Sequence, residues 1–85
     1  GITAGLRIVE MAIADKTAVV PHRGGEPWGL HFIAASECED FAELVMGTRF
    51  SEQDNLWIGS PEQENGHIQV TDAPGFGVKP NENLL

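Results

Sequence analysis

The chain reads as an α/β protein, and three observations point there. Apolar residues recur at helical spacing from Thr3 to about Asp15, and a second apolar helical stretch runs from Trp28 to Ala35. Each stretch is tied to a short apolar run without polar alternation, Thr17-Ala18-Val19-Val20 and then Phe41-Ala42-Glu43-Leu44-Val45. The resulting order of helix, strand, helix, strand is the one that right-handed crossovers in a parallel sheet produce. Strands of such a sheet are covered on both faces, which is why neither run alternates.

Taken in order, the first helix places Leu6, Val9, Ala12 and Ile13 on one face, with Thr3 positioned to cap its amino end. Thr17 to Val20 is the first strand. Pro21 ends it, because proline has no amide to give to a ladder in mid-sheet. Gly24-Gly25 then opens the chain before Trp28, Leu30, His31, Phe32, Ile33, Ala34 and Ala35, a second helix that stops near Ser36. A compact acidic turn, Glu37-Cys38-Glu39-Asp40, leads into Phe41–Val45, a second buried strand or a helical turn, since so short a run fits both. From Met46 onward helical periodicity is lost. Asn65-Gly66 is a hairpin signal, with His67-Ile68-Gln69-Val70 as the outgoing strand and Asn55-Leu56-Trp57-Ile58 as the candidate incoming one. Asp72 to Val78 is rich in turn residues, and Asn81 to Leu85 forms a short docked end.

Two such strands do not close a core, because both faces need helices and both edges need neighbours. At 85 residues, a domain buries only about two thirds of its unfolded surface or less. The single cysteine, Cys38, makes no internal disulfide and reads as a small buried apolar residue. The expectation is one piece of a larger α/β domain, completed by another chain or by an upstream segment; the start at Gly1 without a methionine fits this. Thirteen acidic residues against five basic ones give a formal charge of -8. That charge repels phosphate backbones and anionic membranes, so neither nucleic acid nor membrane is an expected partner. No apolar run approaches the roughly 20 residues of a membrane span, and no signal peptide pattern is present; the expected location is the cytoplasm.

The chemistry concentrates in Val19-Val20-Pro21-His22-Arg23-Gly24-Gly25-Glu26-Pro27-Trp28. A strand that stops at a proline and a histidine delivers an imidazole to the carboxyl end of the sheet, where α/β proteins bind ligands. Imidazole titrates nearer neutrality than other side chains, so His22 is the leading candidate for proton transfer. The plain alternative is a histidine that merely caps a strand end. Glu43 lies twenty-one positions further on, enough for a crossover helix and its loops, and neighbouring strands lie about 4.8 Å apart. His22 and Glu43 can therefore face one substrate, although Glu43 also reads as a solvated acid in an acidic run. Arg23, Glu26 and Trp28 sit on the loop where barrels carry specificity residues. Arg23 either meets a substrate carboxylate or hydroxyls or makes a structural salt bridge; Trp28 either covers an apolar substrate face or packs beneath the loop. His31 reads as a packing histidine within the helix and His67 as an exposed one, and no metal-ligand spacing occurs. Gly75-Phe76-Gly77 lacks the strand and helix of a dinucleotide fingerprint.

Five segments in order, Gly1-Ile2-Thr3 before the helix, Val19-Val20-Pro21-His22, the His31-Phe32 helix, Phe41-Ala42-Glu43, and Asp72-Ala73-Pro74-Gly75-Phe76-Gly77-Val78, resemble the carboxyl-terminal part of the mandelate racemase subgroup of the enolase superfamily. The acid-sugar dehydratases within it, such as the rhamnonate dehydratases, look most similar. The resemblance spans nearly the whole chain. It implies a modified TIM barrel with an amino-terminal α+β capping domain. Residues 1–47 would then carry the last β/α units of the barrel, with Thr17–His22 as its seventh strand and Phe41–Val45 as its eighth, and residues 48–85 a tail returning to the capping domain. A full barrel takes roughly 250 residues, so the rest would come from a companion polypeptide.

The resemblance assigns His22 as general base or acid, paired in the family with an aspartate of the sixth strand. It assigns Glu43 as the acid that hydrogen-bonds a substrate carboxylate oxygen, a role helped by a carboxyl kept neutral in a dry pocket. The implied reaction is abstraction of the proton α to a carboxylate, an enediolate stabilised by Mg2+ and hydrogen-bond donors, and β-elimination of water. The Mg2+ ligands are expected outside this chain, the substrate is a small sugar acid, a homo-oligomer is expected, and the isolated chain should be inactive. Two other readings remain at this point. One is a racemase or epimerase on the same scaffold, with a second base from the second strand; the other is a non-catalytic acidic interaction module in which His22 and Glu43 are incidental.

Overall fold

A computed structural model of the chain describes residues 1–39, 41–44 and 55–85. It divides into two units, Gly1–Leu44 and Val45–Leu85. Among the described residues there are two α-helices and two small antiparallel sheets. The content is α/β, with no closed barrel among the described residues. Asp40 of the acidic turn, Val45 at the end of the second expected strand, and the change of character from Met46 to Asp54 lie outside the described residues.

In the first unit, helix α1 spans Ile2–Ala14. Thr3 does not cap it: Gly1 holds the N-cap position, and no side chain accepts there. The Gly5 amide already bonds the Gly1 carbonyl at 3.0 Å, which leaves Thr3 inside the first turn. The helix stops at Lys16, whose φ of 54° is left-handed. The Lys16 amide donates to the Ile13 carbonyl and the Thr17 amide to the Ala12 carbonyl, at 3.0 and 2.9 Å, the paired bonds of a Schellman cap. Beyond that cap the chain leaves the helix and enters the segment that ends at His22.

Helix α2 spans Pro27–Ala35, with Glu26 as N-cap and Pro27 at the first helical position, where its missing amide costs nothing. Val9 of α1, Ile33 of α2 and Cys38 beyond it form the core cluster of this unit, and Val19, Phe32 and Ala42 pack against it. A Cβ at Gly5 would lie 3.0 Å from the Phe32 ring, so the small residue lets α2 approach α1 closely. Cys38 is buried, as its composition suggested, and its sulfur accepts a hydrogen bond from the Ser36 hydroxyl at 3.1 Å.

Two expectations for this unit need correction. Thr17–Val20 and Phe41–Leu44 carry no strand pairing among the described residues, although Val19 and Ala42 both turn toward the same core. A parallel pair gains too little from two short strands to form without further neighbours, and the described residues offer each at most one. The inner face expected of α1 is also largely uncovered. Only Val9 is buried; Leu6 and Ile13 remain 41% and 46% exposed, and Ile2, Ile8 and Met11 are exposed as well. Two helices and their connections do not supply enough surface to cover so apolar a helix.

In the second unit, β2 (Gln63–Glu64) and β3 (His67–Ile68) form the hairpin signalled by Asn65-Gly66. Both turn residues have positive φ, 51° and 78°, the requirement of a type I′ turn. The incoming strand is Gln63-Glu64 and not Asn55–Ile58. Within that segment, β1 (Trp57–Ile58) pairs instead with β4 (Lys79–Pro80), antiparallel, with Trp57 opposite Pro80. A two-residue turn can join only strands that touch it, and Ile58 stands too far from Asn65 in the chain to do so.

The end of the chain is pinned by Asn81, 2% exposed. Its amide donates to the Leu56 carbonyl (2.8 Å), its side-chain Nδ2 donates to the Asn55 carbonyl (3.1 Å), and its Oδ1 accepts from the Asn83 amide (3.2 Å) at the start of the 3-10 helix Glu82–Leu84. Replacement of Asn81 by alanine leaves the Asn83 amide and the Asn55 carbonyl without these partners. The expected cost is about 1–3 kcal/mol, read as a lower denaturation midpoint in chemical unfolding of the assembled protein.

Candidate functional site

The loop after Val20 is built from two consecutive turns. The Gly24 amide donates to the Pro21 carbonyl at 2.9 Å, closing a turn with His22 and Arg23 at its centre. Arg23 has a φ of 55° while His22 does not share the positive region, the combination of a type II turn. That turn normally takes glycine at the position Arg23 occupies, and a side chain there costs about 1–3 kcal/mol. The Glu26 amide then donates to the Arg23 carbonyl at 3.1 Å, and the chain enters α2. His22 is thus carried on the outer corner of the first turn, with its side chain 84% exposed.

Glu43 holds this strained corner in place. Its carboxylate Oε2 lies 3.0 Å from His22 Nδ1 and accepts from the Arg23 amide at 2.5 Å. Its own carbonyl accepts from the Gly25 amide at 3.0 Å. One residue of the Phe41–Leu44 segment therefore grips the loop at residues 22, 23 and 25. On the other side of the corner, the Arg23 Nε donates to a Glu26 carboxylate oxygen. Glu26 consequently does not use its side chain to cap α2. The His22–Glu43 pair is open to water, with the Glu43 side chain 45% exposed, so in this chain it contributes orientation and little stability.

Of the residues singled out in the sequence, His22, Arg23, Glu26 and Glu43 are brought into one hydrogen-bonded network. Trp28 stands in the first turn of α2, 43% exposed and so not enclosed beneath the loop. Of the two readings of Arg23, the salt bridge is present, to Glu26. His31 is a half-buried packing histidine with Nδ1 2.9 Å from the Pro27 carbonyl, and His67 is exposed, its Nδ1 3.0 Å from the Asn65 carbonyl. A pocket of the first unit lined by Val9, Lys16, Val19, Cys38 and Glu39 contains none of the network residues.

Sequence reasoning missed the backbone donors of the loop and the glycine that seats it. A Cβ at Gly29 would stand 2.6–2.9 Å from the Gly24 backbone, so the first turn of α2 rests directly on the loop. A Cβ at Gly25 would meet the Glu43 carbonyl at 2.8 Å. The available signal was Gly25-x-x-x-Gly29, a spacing that puts one glycine at the start of α2 and one in the loop beneath it.

The chain matches, over residues 1–84, the family described as "Enolase C-terminal domain-like". It belongs to this enolase C-terminal domain-like family. Within the enolase superfamily it is similar to a protein of Caldivirga maquilingensis whose given name is "Putative L-rhamnonate dehydratase", with 33% identity over 90 residues. That alignment takes in all of this chain and 22% of the relative, so the chain spans about a fifth of its length. No solved structure matches the chain. Enolase superfamily members generally use Mg2+. Among the described residues, no group of three or more His, Cys, Asp or Glu side chains is arranged to hold a metal ion, so the described part of this chain does not itself fit a magnesium centre. No helix among the described residues is long and apolar enough to cross a membrane.

Proposed function

We propose that the chain supplies the proton-transfer corner of an acid-sugar dehydratase, a hydro-lyase, whose remaining parts lie on companion polypeptide. The observation that carries this is the 3.0 Å contact of His22 Nδ1 with Glu43, formed within a family of proton-abstracting enzymes. With Nδ1 engaged, Nε2 is the nitrogen left to meet a substrate. It takes the proton α to the carboxylate, and the bonding pair moves toward the carboxylate to give an enediolate. The pair then returns to form a carbon–carbon double bond as the β-hydroxyl leaves. The imidazolium returns the proton to that hydroxyl, which departs as water.

The Glu43 carboxyl stands beside this path, and its second oxygen faces the substrate carboxylate as the enediolate forms. The Arg23 guanidinium, held at Nε by Glu26, offers its remaining N–H groups to substrate hydroxyls or carboxylate. Trp28 and Glu26 complete the rim. Residues 17–22 and 41–44 take the places of the last two strands of a TIM barrel, where they gain the neighbours they lack here, and the tail, described from residue 55, returns to a capping domain. The apolar residues of α1 left exposed support this completion. Mg2+ ligands are placed on the companion polypeptide, in a cytoplasmic homo-oligomer.

The test is a screen of the assembled enzyme against six-carbon and five-carbon sugar acids, following loss of the β-hydroxyl as water by the appearance of a 2-keto acid. Turnover that stops on chelation and returns with Mg2+ is the expected result. Epimerised substrate without 2-keto product would replace the dehydratase reading by the epimerase one. Full activity of the assembled enzyme with chelator present would refute the metal assignment.

A further inference from the structure

We propose that Arg23 and Glu26 form a paired subsite for the hydroxyl groups of the substrate chain beyond its reacting carbons, so that the site takes a monocarboxylic sugar acid and turns away the dicarboxylic one of the same configuration. The proposal rests on the dehydratase reading and narrows it to aldonates. Three observations carry it. Arg23 meets two different acids with two different groups: its amide donates to the Glu43 carboxylate, and its Nε donates to a Glu26 carboxylate oxygen. The guanidinium is therefore held by an acid other than the one assigned to the substrate carboxylate, and it has further N–H donors on its Nη atoms. Second, the Glu26 side chain is 28% exposed and that of Arg23 52%, so the carboxylate forms the base of the pair and the guanidinium its open end. Third, Arg23 is the only Lys or Arg between Thr17 and Leu44, whereas Glu26, Glu37, Glu39, Asp40 and Glu43 are acidic.

Charge decides what such a pair binds. An unpaired guanidinium takes a carboxylate as a fork. Here Glu26 already supplies the opposite charge, and a second substrate carboxylate would bring like charge against it in a stretch with no other fixed cation. A hydroxyl suits the pair, because it accepts from a guanidinium N–H while it donates to a carboxylate oxygen. Glu26 is turned to this use at the expense of its helix: it occupies the N-cap of α2 and makes no side-chain cap there. The loop likewise keeps a side chain at a left-handed position, φ 55°, where glycine would relax the backbone.

The experiment uses the assembled enzyme with Mg2+ and the substitution His22→Asn, in which ligands bind without turnover. Calorimetry measures affinity for a panel of six-carbon aldonates, for the aldarate matching each in configuration, and for glycerate, which carries no hydroxyl beyond the reacting carbons. The aldonate held most tightly is expected to exceed its aldarate on the order of 10-fold. Arg23→Gly suits the left-handed position and should melt no lower than the parent, while aldonate affinity falls about 10-fold to 100-fold relative to glycerate, the worth of hydrogen bonds to a charged group. Glu26→Gln keeps an acceptor for Nε without the charge, and there the preference should move toward the aldarate on the order of 10-fold. A loss shared equally by glycerate and aldonate in Arg23→Gly, an unchanged preference in Glu26→Gln, or a parent enzyme that holds aldarates more tightly or binds no aldonate would each overturn the proposal. If the His22→Asn enzyme still turns its ligands over, it is the reading of His22 as the base that fails, and the same preferences are then read from kcat/KM.

Discussion

Substitution of His22 by asparagine in the assembled enzyme is expected to lower kcat by about 10²–10⁴-fold, the usual worth of one general acid–base group. Asparagine keeps a polar side chain at the corner and a donor that can face Glu43, so the loop should hold and KM should change little. The dependence on His22 follows from its place and not from its exposure. The second histidine of the network's neighbourhood, His31, is committed through Nδ1 to the Pro27 carbonyl, and His67 belongs to the other unit. His31 is therefore not placed to take over from His22. Release of substrate tritium or deuterium to water isolates the step, since it reads proton abstraction even when elimination is blocked. Retention of exchange at the original rate would remove His22 from the mechanism.

The residues that make this site were visible in the sequence for reasons that do not depend on the rest of the protein. Val19-Val20-Pro21-His22 signals a stop, because proline cannot continue a ladder, and Gly24-Gly25 signals a sharp reversal. Both are local. The two helices were legible for the same reason, to within a residue or two at their ends, where Gly1 displaced Thr3 as the cap. The hairpin turn at Asn65-Gly66 was also local, and it forms where expected.

What could not be read locally was pairing. A strand exists only with a partner, and neither Thr17–Val20 nor Phe41–Leu44 finds a ladder within the described residues. Periodicity gave no means of choosing Gln63-Glu64 over Asn55–Ile58 as the incoming strand, nor of matching Trp57 with Pro80 across more than twenty residues. The direct contact between His22 and Glu43 was likewise beyond the pattern, which placed both at a shared mouth without saying that they touch. It arises because the loop amides of Arg23 and Gly25 draw Glu43 onto the corner.

The same amides explain the second large expected effect, from a residue that carries no functional group. Gly29→Ala should lower kcat/KM on the order of 100-fold while leaving every member of the network chemically intact. Three backbone atoms of Gly24 stand within 2.9 Å of where the new methyl would be. Backbone cannot rotate away as a side chain can, so either α2 lifts or the loop slides. The loop is held by hydrogen bonds, to Pro21 and to Glu43, whereas α2 is tied into the core through the buried side chains of Leu30 and Ile33. A shift of about 1 Å at Gly24 is passed directly to Arg23 and Gly25, both of which bond Glu43, and the His22 ring loses its fixed direction. Overpacking of this kind also costs about 1–3 kcal/mol of stability. Steady-state kinetics beside a melting curve separates the two consequences. A loss of stability with unaltered kcat/KM would show that α2 yields instead, and that the seat of the loop is not what aims His22.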